Sequence, residues 1–161
     1  MKGVTPDAGN LLVETSFLPS WGFVKPLRTF VKDLLETTCA DNGHVSDAVT
    51  TLHELVENAV KYGRGRVHLD IRLDTRGHVA SISVASRTTP ERRSIVIGRL
   101  NELNAAHNPA TYYLARMAES ASSGGGGLGL ARIRAECAMS LSWREDADAL
   151  VIVAQPVPVP S

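Results

Sequence analysis

The chain has 161 residues, 43% of them apolar and 21% charged, and its 17 basic and 17 acidic residues cancel to a formal net charge of zero. That length suits one domain with a sizeable core, and the balanced charge argues against a broad nucleic-acid or anionic-membrane footprint. No apolar run approaches the roughly 18 residues of a membrane span, and the opening MKGVTPDAGN carries no signal-peptide core. A reducing cytoplasm is therefore expected, with Cys39 and Cys137, which lack metal-ligand spacing, as structural free thiols.

Leu11, Val13, Thr15 and Phe17 alternate with Leu12, Glu14, Ser16 and Leu18, the period of a half-buried strand, which Pro19 to Gly22 break. A helix then starts near Trp21 or Phe23 with Pro26 in its first turn. Leu27, Phe30, Val31, Leu34 and Leu35 form its core stripe. Asp41-Asn42-Gly43 reads as its end, with Gly43 as a left-handed cap. Ser46 reads as the cap of a second helix that stops at Gly63 or Gly65. Val67, Leu69, Ile71 and Leu73, the turn Asp74 to Gly77, and Ala80, Ile82 and Val84 describe an antiparallel hairpin, with His68 and His78 on its polar face or turn.

Beyond a loop at Ser86 to Pro90, Ile95, Ile97, Leu100 and Leu103 mark a third helix, and Asn108-Pro109 opens a fourth through Tyr112, Leu114 and Met117. SASSGGGG, residues Ser120 to Gly127, is the low-complexity stretch, followed by a helix from Leu128. Met139, Leu141 and Trp143 and then Leu150 to Ala154 give a second strand pair, and the tail from Pro156 to Ser161 is expected to stay out of the sheet and be mobile. Antiparallel strand pairs separated by helices pack most economically as a two-layer α/β sandwich, a largely antiparallel sheet covered by helices on one face. Residues 1–155 form one domain on this reading.

Two stretches carry chemistry. In His53 to Gly63, HELVENAVKYG, Glu54 and Asn58 lie four residues apart and Lys61 three further on, so the three share one helical face. Val49, Leu52, Val56, Ala59 and Val60 take the other side. A carboxylate can act as a general base, an amide oxygen can ligate Mg²⁺, and a lysine can reach a phosphate. By itself this is also the pattern of a solvated polar face, and His53 reads as structural. The second stretch is the glycine run, Gly124 to Gly127, continuing as Leu128-Gly129-Leu130. Glycine lets backbone amides approach a ligand closely, and a helix start favours phosphate. Taken alone, the run also reads as a flexible loop or a cap. It is not a P-loop, which ends in Gly-Lys-Ser/Thr, and it does not follow a strand as a dinucleotide fingerprint does.

Together, Glu54-x-x-x-Asn58-Ala59, a strand pair, and Gly126 to Leu130 opening a helix resemble the GHKL (Bergerat-fold) ATPases and kinases over nearly the whole chain. The anti-sigma-factor serine kinases and SiaB-like protein kinases are the nearer branches. The resemblance implies an ATP-binding domain with a histidine-kinase-ATPase-like fold. Asn58 would be the Mg²⁺ ligand and Glu54 the base. Lys61 would contact phosphate, and Gly125, Gly126, Gly127, Leu128 and Gly129 would wrap ATP. The segment from Arg87 to Ser123 would take the lid position. The family's Asp-x-Gly-x-Gly, whose Asp reads adenine, is replaced here by Ala85-Ser86-Arg87-Thr88-Thr89-Pro90. Two functions follow as expectations. One is a Ser/Thr protein kinase acting on a small regulatory partner protein, with ATP and Mg²⁺ as cofactors and a homodimer by family likeness. The other is a non-catalytic, anti-sigma-like binding module that has lost nucleotide binding.

Overall fold

The alternating N-terminal run forms a strand, β1 (Asn10–Phe17), and the helices on either side of residue 40 follow it: α1 (Trp21–Thr38) and α2 (Asn42–Tyr62). The structure, a computed structural model, describes residues 10–39, 41–123 and 128–158. The remaining elements are β2 (Arg64–Leu73), β3 (Val79–Arg87), α3 (Pro90–Ala105), α4 (Pro109–Ser123), α5 (Leu128–Glu136), β4 (Met139–Asp146) and β5 (Ala149–Pro156). All five strands join one sheet in the order β1-β2-β3-β5-β4, and every neighbouring pair is antiparallel. Val67, Leu69 and Ile71 of β2 are buried while Arg66 and His68 are exposed, so the predicted alternation has become an inner and an outer face. The helices cover the inner face, as the two-layer reading requires.

The junction of α1 and α2 differs from the sequence expectation. Asp41, not Ser46, caps α2: its Oδ1 accepts from Gly43 N at 3.0 Å and His44 N at 3.2 Å. Gly43 therefore lies inside α2 rather than ending α1, whose C-cap is Cys39. A carboxylate two residues ahead of a glycine satisfies two orphan amides at once, and that outcompetes the serine at position 46. Two apolar stripes also shift. In α1 the buried residues are Val24, Leu27, Val31 and Leu35, while Phe30 is 52% exposed. In α3 they are Val96, Leu100 and Leu103, while Ile95 is 48% exposed. Each observed set keeps the 3-4-residue spacing of one helical face, and the excluded aromatic or isoleucine sits off it.

The β2–β3 connection is held by Asp74, which accepts from Arg76 N at 2.8 Å and His78 N at 3.0 Å, with Gly77 at φ +80°. Only glycine adopts that backbone region freely. Cys39 Sγ donates to Gly77 O at 2.9 Å, and His44 Nε2 accepts from Val79 N at 2.9 Å, so this turn is clasped by the ends of α1 and α2. Both cysteines are buried and free. The last strand runs on to Pro156, which pairs with Met139, and Val157 N donates to Ala138 O at 2.9 Å. The start of the proline tail therefore belongs to the sheet, and residues 159–161 lie outside the described part. Proline is tolerated there because its missing N–H falls at the strand end. No helix is long and apolar enough to cross a membrane among the described residues.

Candidate functional site

Helix α2 buries Val45, Ala48, Val49, Leu52, Leu55, Val56 and Ala59 in the core, which fixes the direction of its opposite, polar face. Glu54, Asn58 and Lys61 stand there at helical spacing. Helix α5 packs against α2, pinned by buried Leu130, Ala131 and Ile133. The packing brings the second residue of α5, Gly129, directly against Glu54. A Cβ at position 129 would overlap Glu54 Oε2. The glycine permits a close approach, and what approaches is the carboxylate expected to act as a base.

The other oxygen, Glu54 Oε1, accepts from Arg132 Nη1 at 3.1 Å, and Arg132 Nε donates to Glu136 Oε2 at 2.8 Å. Arg132 had no assigned role in the sequence reading. Its pKa is raised, first by Glu136 and then, against the cost of burial, by Glu54. Tyr113 of α4 lies close enough to feel Glu136, Arg132 and Glu54, although burial is the main cause that raises its phenol pKa. Glu54 is 12% exposed and Arg132 42% exposed, so the pair bridges α2 and α5 with its guanidinium on the solvent side.

Asn58, one turn along α2, is half-buried, and its amide has no hydrogen-bond partner among the described residues. Lys61 is exposed, 5.4 Å from the Tyr62 ring centroid. Gly125, Gly126 and Gly127 lie outside the described residues; Leu128 and Gly129 open α5. His53 Nε2 pairs with Glu57 Oε1 at 3.1 Å, and His68 Nε2 with Glu14 Oε1 at 3.0 Å.

The segment expected as a lid divides into two parts. Helix α3 is built into the core and onto β4, where Asn104 Nδ2 donates to Leu141 O at 3.1 Å. Helix α4 lies on α5 with Leu114 65% exposed and Met117 43% exposed. The segment Ala85 to Pro90, which lacks the family's Asp, is used structurally. Thr88 Oγ1 donates to Tyr62 O at 2.9 Å, and Thr89 caps α3 by accepting from Arg92 N.

These residues fit the phosphate and metal end of a nucleotide. Where α2 meets α5 stand a helix start containing Gly129, a guanidinium, and an unengaged carboxamide. Among the described residues no group of three or more His, Cys, Asp and Glu could hold a metal ion. A Mg²⁺ here would take Asn58 and share the rest of its shell with phosphate oxygens and water, its usual mode.

The fold is a two-layer α/β sandwich in which α2 and α5 meet at the Glu54–Arg132 ion pair, with Gly129 against Glu54. No protein-family model matches the sequence, and comparison with curated proteins finds no match. Among solved structures, the fold matches a chain of the SiaB–SiaC complex from Pseudomonas aeruginosa. The TM-score is 0.66 and the identity 15%, over 92% of this chain and 91% of that one. At that identity the likeness shows the fold.

Proposed function

We propose that this protein is a cytoplasmic, ATP-binding regulatory Ser/Thr protein kinase of the GHKL type. It would transfer the γ-phosphoryl group of ATP to a hydroxyl of a small partner protein in a bacterial partner-switching pathway. The observation that carries this reading is the meeting of Glu54 with Gly129. Two features separated by more than seventy residues, expected to serve one triphosphate, touch in the fold. That the neighbouring structure is a complex of two proteins supports a partner-directed role.

Bound Mg·ATP would supply the transferable phosphoryl group. Asn58 would hold the metal through its amide oxygen. The first-turn amides of α5 and the guanidinium of Arg132 would draw off developing phosphoryl charge. Lys61 would meet the phosphates from solvent, and Glu54 would accept the proton of the attacking hydroxyl. The packed α2–α5 cleft would exclude water from the reacting atoms. A homodimer belongs to the same reading and is tested by sedimentation.

A second reading has its own support: Ala85 to Pro90 carries neither the Asp nor the Gly of the family's motif, and Glu54 is held by Arg132. On that reading the scaffold binds a partner without catalysis. Thermal unfolding with and without Mg·ATP separates the two. Ligand at a hundred times Kd stabilises by about 2.7 kcal/mol, several degrees in Tm. Asn58→Ala should abolish the shift, and Glu54→Ala should keep it while ending ATP turnover. No shift in the wild type rejects the kinase and leaves the binding module.

A further inference from the structure

We propose that Arg132 is a phosphate-binding residue which Glu54 occupies in the free protein, so that an arriving anion releases Glu54 by taking its place on the guanidinium. The inference rests on the reading that the α2–α5 cleft takes a nucleotide's phosphates.

Three observations lead to it. Arg132 is anchored by one edge and exchangeable at the other. Nε is tied at 2.8 Å to Glu136, four residues along the same helix, which fixes the side chain's direction, while Nη1 reaches across to Glu54 at 3.1 Å. A guanidinium offers five donors in a planar fork, so the anchoring bond leaves the terminal nitrogens free to serve a carboxylate or a phosphate in turn. Glu54 also sits where an anion is favoured. Its Oε2 lies against Gly129 at the first turn of α5, where backbone amides lack intrahelical partners and the helix end is positive. Only a residue without a Cβ leaves room for it, so the carboxylate fills the space that a phosphate oxygen would need.

The third observation is the charge count of the cluster. Two carboxylates, Glu54 and Glu136, share one guanidinium. A phosphate brought beside them adds negative charge next to Glu54, which is the anion reaching from the other helix. Glu136 stays on its own helix beside Arg132. Repulsion therefore expels Glu54 rather than Glu136, and the freed carboxylate turns back along the polar face of α2 toward Asn58. Ligand arrival and release of the proton acceptor become one event. In the free protein Glu54 Oε1 is taken up by Arg132, and Oε2 lies against Gly129.

The test is calorimetric titration of the wild type, Glu54→Gln, Arg132→Ala and Arg132→Lys with inorganic tripolyphosphate and with Mg·ATP. The melting temperature of each variant confirms that it is folded. If Glu54 leaves Arg132 free about a tenth of the time, its neutralisation tightens binding about tenfold. Arg132→Ala should weaken binding of both probes, and Arg132→Lys should restore part of the loss. Equal affinity in the wild type and Glu54→Gln overturns the exchange, as does undiminished binding by Arg132→Ala or binding by none of the four. Mg·ATP binding that ignores both substitutions, with turnover by the wild type and its loss in Glu54→Gln, would leave the kinase reading standing without the exchange. Tighter binding by Glu54→Gln and weaker binding by Arg132→Ala, with no phosphoryl transfer by the wild type, would leave the exchange standing without the kinase.

Discussion

Gly129 shows how much one missing methyl can decide. Alanine at this position would gain helix propensity, about 1 kcal/mol over glycine, but its Cβ would overlap Glu54 Oε2. The obstructing atom is the end of a flexible side chain, so Glu54 can swing away at the expense of its bond to Arg132. Gly129→Ala should therefore shift the melting temperature little while removing any ATP turnover. A large drop in stability would show that the carboxylate cannot move. Asp74 supplies a test that is independent of function. The backbone amide of His78, together with that of Arg76, holds its carboxyl below the usual carboxylate range. A depressed folded pKa stabilises the fold above the unfolded value near 3.8 and ceases to do so as pH falls through the folded pKa. Asp74→Asn should thus cost stability at pH 7, of the order of a single hydrogen bond or about 1 kcal/mol, and the difference from wild type should vanish in acid. A gap that persists below pH 2 would point to the turn's shape rather than to the charge. Glu54 and Gly129 stood out in the sequence only as members of two separate patterns. Arg132 did not stand out at all, because its partner lies 78 residues away. The local signal that could have flagged it is its i,i+4 spacing to Glu136 just after a glycine run.

Among the elements, the segment from α3 to α4 was the hardest to place. Both helices were predicted from periodicity, and both exist, but periodicity alone does not say which is core. Leu100 is fully buried and Leu114 is 65% exposed. Leu100→Ala should cost about 2–5 kcal/mol by urea denaturation, and Leu114→Ala should stay within about 0.5 kcal/mol. Similar losses would contradict the division of the segment into a core helix and a peripheral one. The start of α2 gives a second test. Asp41→Ala removes an N-cap and should destabilise by about 1 kcal/mol, whereas Ser46→Ala, within the helix, should be near neutral or slightly favourable. The sequence placed helices on both sides of residues 41–43 and misread which side the glycine serves. Asp-Asn-Gly suits either a C-terminal turn or an N-cap, and the His44–Val79 hydrogen bond, made from the first turn of α2 to the next hairpin, goes with the second choice.

For the molecule as a whole, the sheet has two unlike edges. The outer strand β4 is braced by α3 through Asn104 and by Trp143 Nε1 donating to Asn101 Oδ1 at 3.4 Å. Beside β1 at the other edge, a cavity of about 400 Å³ is lined by Val13, Thr15, Phe23, Pro26 and Phe30. Protection against amide exchange should therefore be greatest in β3 and β5, which are paired on both sides and buried, and least in α4, which lies outside the main core. Exchange from α4 as slow as from β3 would mean that the lid-side helix is part of the cooperative core.

The order of elements and the inward faces of β2 and of Ile82 and Val84 in β3 were set by the sequence itself, whereas Leu11 is exposed and Ser81 is buried beside register shifts in the sheet. The sequence also set the helical face shared by Glu54, Asn58 and Lys61. Period-2 and period-3.6 alternation are local, and burial of one face follows from them directly. The strand order β1-β2-β3-β5-β4, the core place of α3 and the Glu54–Arg132–Glu136 cluster were decided only by tertiary structure. Each depends on which surfaces meet after the chain has closed loops of many tens of residues. No local pattern records that choice, because packing α5 onto α2 is a property of two apolar faces together and not of either one.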